Sequence, residues 1–532
     1  MTTYRILVSD PMSPEGLARL QAAPDVEVTA PGKMPREALL QAIGEYDALI
    51  VRSETKVDRE LLERAARLKV VGRAGVGVDN IDVETATARG VIVMNTPGAN
   101  AIATCEHTFA LMLALCRHIP QADASVRRGE WTRSRFVGVQ LYRKTLGIIG
   151  LGRIGQRVAQ RALAFGMEVL AYDPYISTDI ARELGVALVS LDELLARSDF
   201  ITLHALLTPE TRGLIGREAL ARVKPGARLI NCARGELLDE AALVEALTSG
   251  RLAGAALDVY STEPPLGSSL LTLDNVVLTP HLGASTEEAQ RDVSLQIVDQ
   301  VLDALRGTGF RNAVNFPFVD GLVWRELRPY LDLAERIGAL QTQLAPGRMK
   351  KIEIELRGPD VAGHARMLNV AVLKGLLTPM VGEQVNYINA PVLAAERGIT
   401  VAQSEPSTVL DGLDYVNLIS CRVLTDQGER LIAGTLFSRE QPRIVQMDGF
   451  RLDASPTGIV LVMLSRDVPG VIGRVGTLLG EYGINIAEWR LGRDRPGGTA
   501  LSFINLDNPI PPEVMARLVE LKDIISARVV RL

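Results

Sequence analysis

The run Thr145-Leu-Gly-Ile-Ile-Gly150-Leu-Gly152-Arg-Ile-Gly155 constrains the fold more than any other part of the chain. An apolar stretch leads into Gly-x-Gly-x-x-Gly, and Asp173 follows one helix and one strand later, in Glu168-Val-Leu-Ala-Tyr-Asp173. Strand, tight turn, helix, strand and acid make the pattern of a dinucleotide-binding unit. Gly150 permits the turn, Gly152 lets a pyrophosphate approach the backbone, and Gly155 lets the helix pack close to the strand. The helix N-terminus, with Arg153 and Ile154 in its first turn, faces the anion. Asp173 is placed to accept hydrogen bonds from the adenosine ribose and to repel a 2′-phosphate. Pro174 and Tyr175 follow it, not a basic pair, so the expected cofactor is NAD. A glycine-rich structural turn in some other α/β domain would not need this strand before it or this acid after it.

A chain of 532 residues is too long for one core and implies three or four domains. A net charge of −5 gives no electrostatic reason to expect a nucleic acid partner. Cys105, Cys116, Cys232 and Cys421 are far apart with no C-x-x-C pair, and read as free thiols in a reducing compartment. Met1-Thr-Thr-Tyr-Arg-Ile-Leu-Val begins a strand and not a signal peptide, and runs such as Phe109–Cys116 are too short to span a bilayer. A cytoplasmic protein without a membrane partner and without a metal site is expected.

Short apolar segments at Ile6–Val8, Ala48–Val51, Val70–Val71 and Val91–Val93 alternate with helical stretches at Pro14–Ala22 and Arg59–Ala66. This alternation implies a parallel sheet, whose ligands collect at the carboxyl ends of the strands. Asn100–His118 reads as a long helix entering a second α/β unit that holds the glycine turn. A helix from Ser285 to about Arg306 is expected to return to the first unit, making it discontinuous, with Asn315-Phe-Pro-Phe-Val319 as a junction. Two crossings would form a hinge around a substrate cleft. Residues 316–453 read as strand-like segments between polar turns, including Lys351–Leu356 and Arg430–Phe437. Residues 457–532 read β-α-β-β-α-β, a ferredoxin-like module. The predicted boundaries are 1–98 with 286–315, 99–285, 316–453 and 457–532.

Five histidines can be weighed singly. His107 and His118 lie on the long helix and read as structural or solvated; His364 has no partner in view. His204 ends a strand and is placed to line the cofactor cleft. His281 ends another, in Val276-Val-Leu-Thr-Pro-His281, where a general acid/base belongs. Glu263, in Asp258-Val-Tyr-Ser-Thr-Glu263-Pro-Pro, is its expected partner, since a carboxylate fixes an imidazole tautomer and stabilises the imidazolium. Arg234, in Asn231-Cys-Ala-Arg234-Gly, follows a third strand and can clamp a substrate carboxylate. Taken singly, each favours the reading of a surface charge on an unrelated loop; three on successive strand ends beside a dinucleotide turn do not.

Leu151–Gly155, Asn231–Gly235, Ala256–Pro264 and Thr279–Ser285 closely resemble the D-2-hydroxyacid dehydrogenase family. The likeness covers essentially the whole chain and points to the long branch of that family. Val385-Asn-Tyr-Ile-Asn-Ala-Pro391 resembles its intervening, allosteric-substrate-binding domain, and Arg466–Gly473 with Gly483–Ala487 resembles an ACT domain. The implied fold is α/β: a Rossmann-type NAD domain, a discontinuous flavodoxin-like substrate domain, an α+β intervening domain and a C-terminal ferredoxin-like ACT domain. The implied activity is NAD-dependent oxidation of 3-phosphoglycerate to 3-phosphohydroxypyruvate, opening L-serine biosynthesis, with 2-oxoglutarate reduction as a side activity.

The resemblance assigns Arg234 to the substrate carboxylate, His281 to proton transfer and Glu263 to tuning the histidine. It places Gly150, Gly152, Arg153, Ile154, Gly155 and Asp173 on the cofactor. Cys232, Asp258, His281 and Ala284 fall near the nicotinamide. Arg52, Ser53, Gly75, Val76, Gly77 and Asn100 fall on its substrate loops, and Arg133 matches a basic position linked to the phosphate, reached from a neighbouring subunit. Asp467 and Asn485 match ligand positions of the ACT domain, where L-serine is the expected feedback effector; Asp-x-Pro-Gly is equally a helix-start turn. A homodimer or homotetramer is implied. One departure is visible: His204-Ala205-Leu206-Leu207 lacks the proline the family usually has two positions after the histidine, and Ala205 cannot offer the hydroxyl some members place there. The competing readings are a hydroxypyruvate or glyoxylate reductase, which usually lacks the two C-terminal domains, and a non-enzymatic NAD-sensing binding protein, which would not require Arg234, Glu263 and His281 together.

Overall fold

The computed structural model describes residues 3–316, 321–382, 384–403, 412–438 and 440–532. Strands β1 (Tyr4–Val8), β2 (Val26–Thr29), β3 (Ala48–Val51), β4 (Val70–Arg73) and β5 (Ile92–Met94) form a parallel sheet ordered β2-β1-β3-β4-β5, the flavodoxin-like order. The interior strand β3 is buried at every position, as a parallel sheet covered on both faces requires. Edge strand β2, Val-Glu-Val-Thr, is only half buried and has no counterpart among the four strands legible in the sequence.

A second parallel sheet holds β6 (Thr145–Ile149), β7 (Glu168–Tyr172), β8 (Ala187–Leu188), β9 (Phe200–Leu203), β10 (Ala227–Asn231), β11 (Leu252–Leu257) and β12 (Val276–Leu278). Its order is β12-β11-β10-β9-β6-β7-β8. The chain order reverses between β6 and β9, the crevice where doubly wound sheets bind dinucleotides. Helices in both units start on side-chain caps: Ser13, Asp58, Asp82, Ser177, Ser190, Asp239 and Thr286 each accept a backbone N–H, worth ~1 kcal/mol apiece. The helix Arg153–Ala164 has Gly152 at this position and no side-chain cap, so its first amides stay open to a ligand.

The helix Ala101–Arg117 ends at His118, φ +53°, and packs on β10–β12 and on the helix Arg153–Ala164. The helix Glu287–Arg306 leaves the second sheet and packs on β3, β4 and β5 and on the helix Pro14–Gln21. The fit there is close: the Ser13 amide donates to Ser294 Oγ at 3.2 Å, Arg306 pairs with Asp25 at 2.5 Å, and a Cβ on Gly16 would lie 2.6 Å from Ser294 Cβ. The chain therefore crosses twice between the two sheets, whose strand ends face one cleft.

Residues 321–454 have the α+β make-up expected of the intervening unit, with two long helices that the strand-and-turn reading of its residues lacks. These helices, Gly321–Leu344 and Ala365–Val381, pack on each other, and the first lies against a six-stranded sheet. Its strands are β13 (Met349–Arg357), β14 (Thr400–Gln403), β15 (Leu418–Thr425), β16 (Glu429–Leu436), β17 (Pro442–Met447) and β18 (Phe450–Ala454), ordered β14-β13-β15-β16-β17-β18 and antiparallel except for β13–β14. The helices touch backbone to backbone: a Cβ on Gly338 would lie 2.1 Å from Val372 O, and one on Gly375 1.9 Å from Glu335 O. Of the junction read at Asn315–Val319, residues 317–319 lie outside the described residues. Asn315 itself bonds the first unit, donating to Val91 O at 2.8 Å and accepting from the Val93 amide at 2.9 Å. Asn386, from the Val385–Pro391 motif, donates to Gly90 O at 2.9 Å, and the rings of Phe310, Phe316, Trp324 and Tyr387 pack edge to face with centroids 4.8–6.3 Å apart.

The C-terminal unit is antiparallel: β19 (Ile459–Arg466), β20 (Ile486–Arg493), β21 (Thr499–Leu506) and β22 (Ile524–Arg531), ordered β20-β21-β19-β22, with helices Val471–Glu481 and Pro512–Glu520. The second strand starts two residues later than the sequence reading placed it. Gln343 closes the end of edge strand β22, donating to Arg531 O and accepting from Arg531 N, both at 2.9 Å. Among the described residues no helix is long and apolar enough to cross a membrane.

Candidate active site

Strand β6 runs into Gly150, φ +94°. A Cβ there would lie 2.6 Å from the backbone of His204 and Ala205, and one on Gly155 would lie 2.1 Å from Gly150 O, so both positions exclude a side chain. Asp173 stands over this turn at the end of β7. Its Oδ2 accepts the Leu151 amide at 2.8 Å, and Oδ1 accepts Tyr175 and Ile176 amides at 2.9 and 3.2 Å. The acid is thus fixed by the backbone while Oδ2 keeps a lone pair for a ribose hydroxyl. Arg153 reaches across towards Gly98 in the crossing segment, its Nη1 2.8 Å from where a Gly98 Cβ would be.

Beyond the turn lies a cavity of ≈ 360 Å³ lined by Ile154, His204, Ala205, Leu206, Cys232 and Asp258 among others. His204 lies half-buried against it; desolvation pushes its imidazole down to about 3, so the ring is neutral, with Nε2 3.0 Å from Thr202 Oγ1. Burial pushes the Cys232 thiol up to about 12, which makes it a packing residue and not a nucleophile. Open helix amides, an acid over the glycine turn and a largely apolar pocket fit a dinucleotide with its nicotinamide end inward.

A second cavity of ≈ 250 Å³ continues from the first, sharing Val76, Gly77, Asn100, Arg234, His281 and Ala284 with it. His281 Nδ1 lies 2.9 Å from Glu263 Oε2, and the Tyr260 amide donates to Glu263 Oε1 at 3.2 Å. Partial burial raises the Glu263 carboxyl, but the hydrogen bond and charge of His281 outweigh it and hold it below the ordinary carboxylate value. His281 has φ +56°, a left-handed backbone costing about 1–2 kcal/mol for a non-glycine residue.

Asp258 holds that strained loop. This fully buried acid takes Thr279 Oγ1 at 2.6 Å and the Leu282 amide at 2.7 Å on Oδ1, and the Gly283 amide at 2.7 Å on Oδ2. Its backbone carbonyl takes the His281 amide at 2.9 Å. His107 Nε2 stands 3.1 Å from Oδ1. Burial raises the Asp258 carboxyl; the bonds from His107, Thr279 and Leu282 prevail and lower it. His107, which the sequence left as a structural or solvated helix residue, is part of the support beneath His281.

Three guanidinium groups line the same cavity: Arg52, Arg73 and Arg234. Arg234 sits on the turn after β10, shaped by buried Asn231, which donates to Arg234 O at 2.8 Å and accepts the Ala233 amide at 2.9 Å. Arg52 follows β3, its amide held by Asp10 Oδ2 at 2.6 Å. Arg73 ends β4; burial and the charge of Arg234 lower it to about 10, so it remains cationic at neutral pH. Gly75 and Gly77 make room for two of them: a Cβ would lie 1.7 Å from Arg73 Nη1 or from Arg234 Nη2. Ser53, Asn100 and Ala284 also line it. Sequence reasoning missed Arg73 and the role of Asp79, which pairs with Arg234 Nε at 2.9 Å. The signal for Arg73 was its place two residues before Gly75, at a strand end.

Not every candidate comes to this cleft. Arg133 lies in an exposed one-turn helix, Arg133–Phe136, and lines neither cavity of its own chain. In the C-terminal unit Asp467 Oδ2 accepts the Gly497 amide at 3.1 Å and Arg493 Nη1 at 3.3 Å, while Asn485 donates to Asp507 Oδ2 at 2.6 Å. Among the described residues no cluster of histidine, cysteine or acid side chains is arranged to hold a metal.

Comparison with known proteins agrees with this layout. Residues 109–283 match the NAD-binding domain of D-isomer specific 2-hydroxyacid dehydrogenases, 326–448 the D-3-phosphoglycerate dehydrogenase intervening domain, and 459–523 the ACT domain. The chain is 46% identical over 529 residues to D-3-phosphoglycerate dehydrogenase of Methanocaldococcus jannaschii, covering 99% of this chain and 100% of that one. It is 44% identical over 533 residues to the Synechocystis protein of the same name, covering 100% and 95%. A D-lactate dehydrogenase from Aquifex aeolicus, solved with NAD and lactic acid, superposes on 57% of this chain and 96% of its own, with 32% identity and a TM-score of 0.51. With four units, a glycine turn and the Arg234, Glu263 and His281 set in one cleft, the chain belongs to the D-3-phosphoglycerate dehydrogenase family of NAD-dependent D-2-hydroxyacid dehydrogenases.

Proposed function

We propose that the chain oxidises 3-phospho-D-glycerate to 3-phosphohydroxypyruvate with NAD, the step that opens L-serine biosynthesis. The observation that carries this reading is the convergence of Arg52, Arg73 and Arg234 on a cavity that also holds the His281–Glu263 pair. One guanidinium suffices for a carboxylate; two more answer a phosphate at the other end of the substrate. In the division of labour we propose, residues 1–98 with 286–315 hold substrate, 99–285 hold cofactor, and 316–453 and 457–532 regulate.

Arg234 takes the C1 carboxylate and turns C2 towards the nicotinamide pocket, which supplies the orientation term. Arg52 and Arg73, with Ser53 and the backbone at Gly75–Gly77, take the phosphate. His281 Nε2 is the ring nitrogen left free by Glu263 and accepts the proton of the C2 hydroxyl. Bound NAD supplies the acceptor for the hydride that leaves C2. Glu263 stabilises the imidazolium so formed, and positioned general bases of this kind contribute about 10²–10⁴-fold. Asp173 fixes the adenosine ribose, and closure of the two units excludes water from the cleft. The test is NADH formation from 3-phosphoglycerate with a hydrazine trap for the oxo product. Steady NADH production is expected; none, by protein that binds NADH, would refute the activity.

Exposed apolar side chains on the second unit, including Ile119, Val126, Trp131 and Val137, support pairing of two chains through this face, with Arg133 beside a neighbour's cleft. Sedimentation as a single-chain species at micromolar concentration would refute that. For the ACT unit we assign Asp467 to the amino group and Asn485 to the carboxylate of L-serine. Millimolar serine is expected to inhibit, and an unchanged rate would sink the assignment.

A further inference from the structure

Asp79 stands outside the chemistry above, yet its side chain crosses the cleft. It lies on the loop after β4, in the first sheet, and its Oδ2 accepts from Nε of Arg234, which follows β10 in the second sheet. The distance is 2.9 Å between residues 155 apart in sequence. A second bond, Arg234 Nη1 to Ala233 O at 2.7 Å, fixes the guanidinium plane. Two of its five N–H donors are thereby used, and the three others remain for a ligand. Gly77 lets this happen: a Cβ there would lie 1.7 Å from Arg234 Nη2 and 2.5 Å from Asp79 Oδ2.

The pair is half-exposed on the Asp79 side, with 52% of that side chain accessible. Ion pairs so exposed contribute little to folding, so its worth lies in placement. The local charge points the same way. Arg52, Arg73 and Arg234 share a cavity, and like charges repel; Asp79 opposes that repulsion at Arg73 as well as at Arg234. An unpaired Arg234 would turn away from its two neighbours, and the flexible side chain would lose the fixed orientation that two-point carboxylate binding needs.

We propose that Asp79 is a positioning residue for Arg234: it holds the guanidinium aimed at the substrate carboxylate and, being on the opposite unit, ties that aim to closure of the cleft. The inference rests on the dehydrogenase reading and deepens it. It differs from a role at the phosphate, because the carboxylate is common to 3-phosphohydroxypyruvate and hydroxypyruvate while the phosphate is not.

The experiment is a double-mutant cycle with Asp79→Ala and Arg234→Ala, read with NADH and both oxo acids. Asp79→Ala should lower kcat/KM on the two substrates by the same factor, ~30-fold or more, mostly through KM. NADH affinity by fluorescence should stay within about twofold, which also reports an intact fold. Asp79→Asn keeps an acceptor oxygen in the same place but not the charge, and should recover part of the loss. In the Arg234→Ala background, Asp79→Ala should cost less than about twofold more, because its effect passes through Arg234. A loss confined to the phosphorylated substrate, a loss under about threefold, or a full further loss without Arg234 would overturn the inference. Wild-type protein inert on both substrates would overturn the activity and this inference together, whereas wild-type turnover beside an unaffected Asp79→Ala overturns the inference alone.

Discussion

Nδ1 of His281 lies 2.9 Å from Oε2 of Glu263, across the rim of a cavity that also presents three arginines. The carboxylate is held below its ordinary value chiefly because His281 bonds it, in spite of its partial burial. It is therefore ionised throughout the neutral range and available to balance a proton on the ring.

Removing the ring should separate chemistry from binding. His281→Ala should lower kcat by ~10³-fold or more and leave the NADH dissociation constant nearly unchanged. Glu263→Gln keeps a hydrogen-bond acceptor but removes the charge, and should lower kcat by ~10–100-fold. Stopped-flow turnover with parallel fluorescence titration checks both; near wild-type kcat in His281→Ala would refute the assignment.

Asp258 should matter for stability and rate together. Asp258→Asn replaces an acceptor of four donors, Thr279, His107 and the Leu282 and Gly283 amides, with an amide that must turn N–H towards one of them. The expected loss is about 2–4 kcal/mol of stability, with a fall in kcat as the loop bearing His281 loosens. The native acid is lowered in the folded state. Its contribution is complete above the unfolded carboxylate value and is lost as pH falls through the folded one. Urea unfolding of the native protein and Asp258→Asn at neutral pH and at about pH 3, below the ordinary carboxylate value, resolves this.

Cofactor choice should follow Asp173. Asp173→Ala removes the acceptor we propose for the ribose and the charge we propose repels a 2′-phosphate, and frees the Leu151 amide. The NAD over NADP preference in kcat/KM should fall by ~10-fold or more, mainly through weaker NAD use. An unchanged ratio would place the discrimination elsewhere.

His204 predicts an acid sensitivity. Its ring is neutral in the fold, lowered to about 3 by burial, while the unfolded chain takes up a proton near the ordinary histidine value. Stability therefore falls as pH drops below about 6.5 and continues to fall towards the folded value. Between pH 7 and pH 5 the loss due to this residue is about 2 kcal/mol. A His204→Gln variant should show a decline smaller by that amount in urea unfolding at the two pH values.

What the sequence made legible was local. The glycine turn, Asp173 and the strand ends carrying Arg234, Glu263 and His281 each announce themselves within a dozen residues, because their backbone demands and chemistry are read along one βα unit. Asp79, Arg73 and His107 do not. Asp79 acquires its partner only when two sheets close on each other, and His107 looks like any polar residue of a half-buried helix until Asp258 is seen beneath it. The helices Gly321–Leu344 and Ala365–Val381 were obscured in another way. Pro329 and Pro379 lie inside them and read as turns. The second is buried nearly all round, which erases the 3.6-residue alternation that marks a surface helix.

The most direct test is the ratio of kcat/KM for 3-phosphohydroxypyruvate over hydroxypyruvate in NADH oxidation by the wild-type protein. With Arg52 and Arg73 serving the phosphate, the ratio should exceed ~100, about 2.7 kcal/mol of transition-state stabilisation. A ratio near one, or reversed, would contradict the phosphate site.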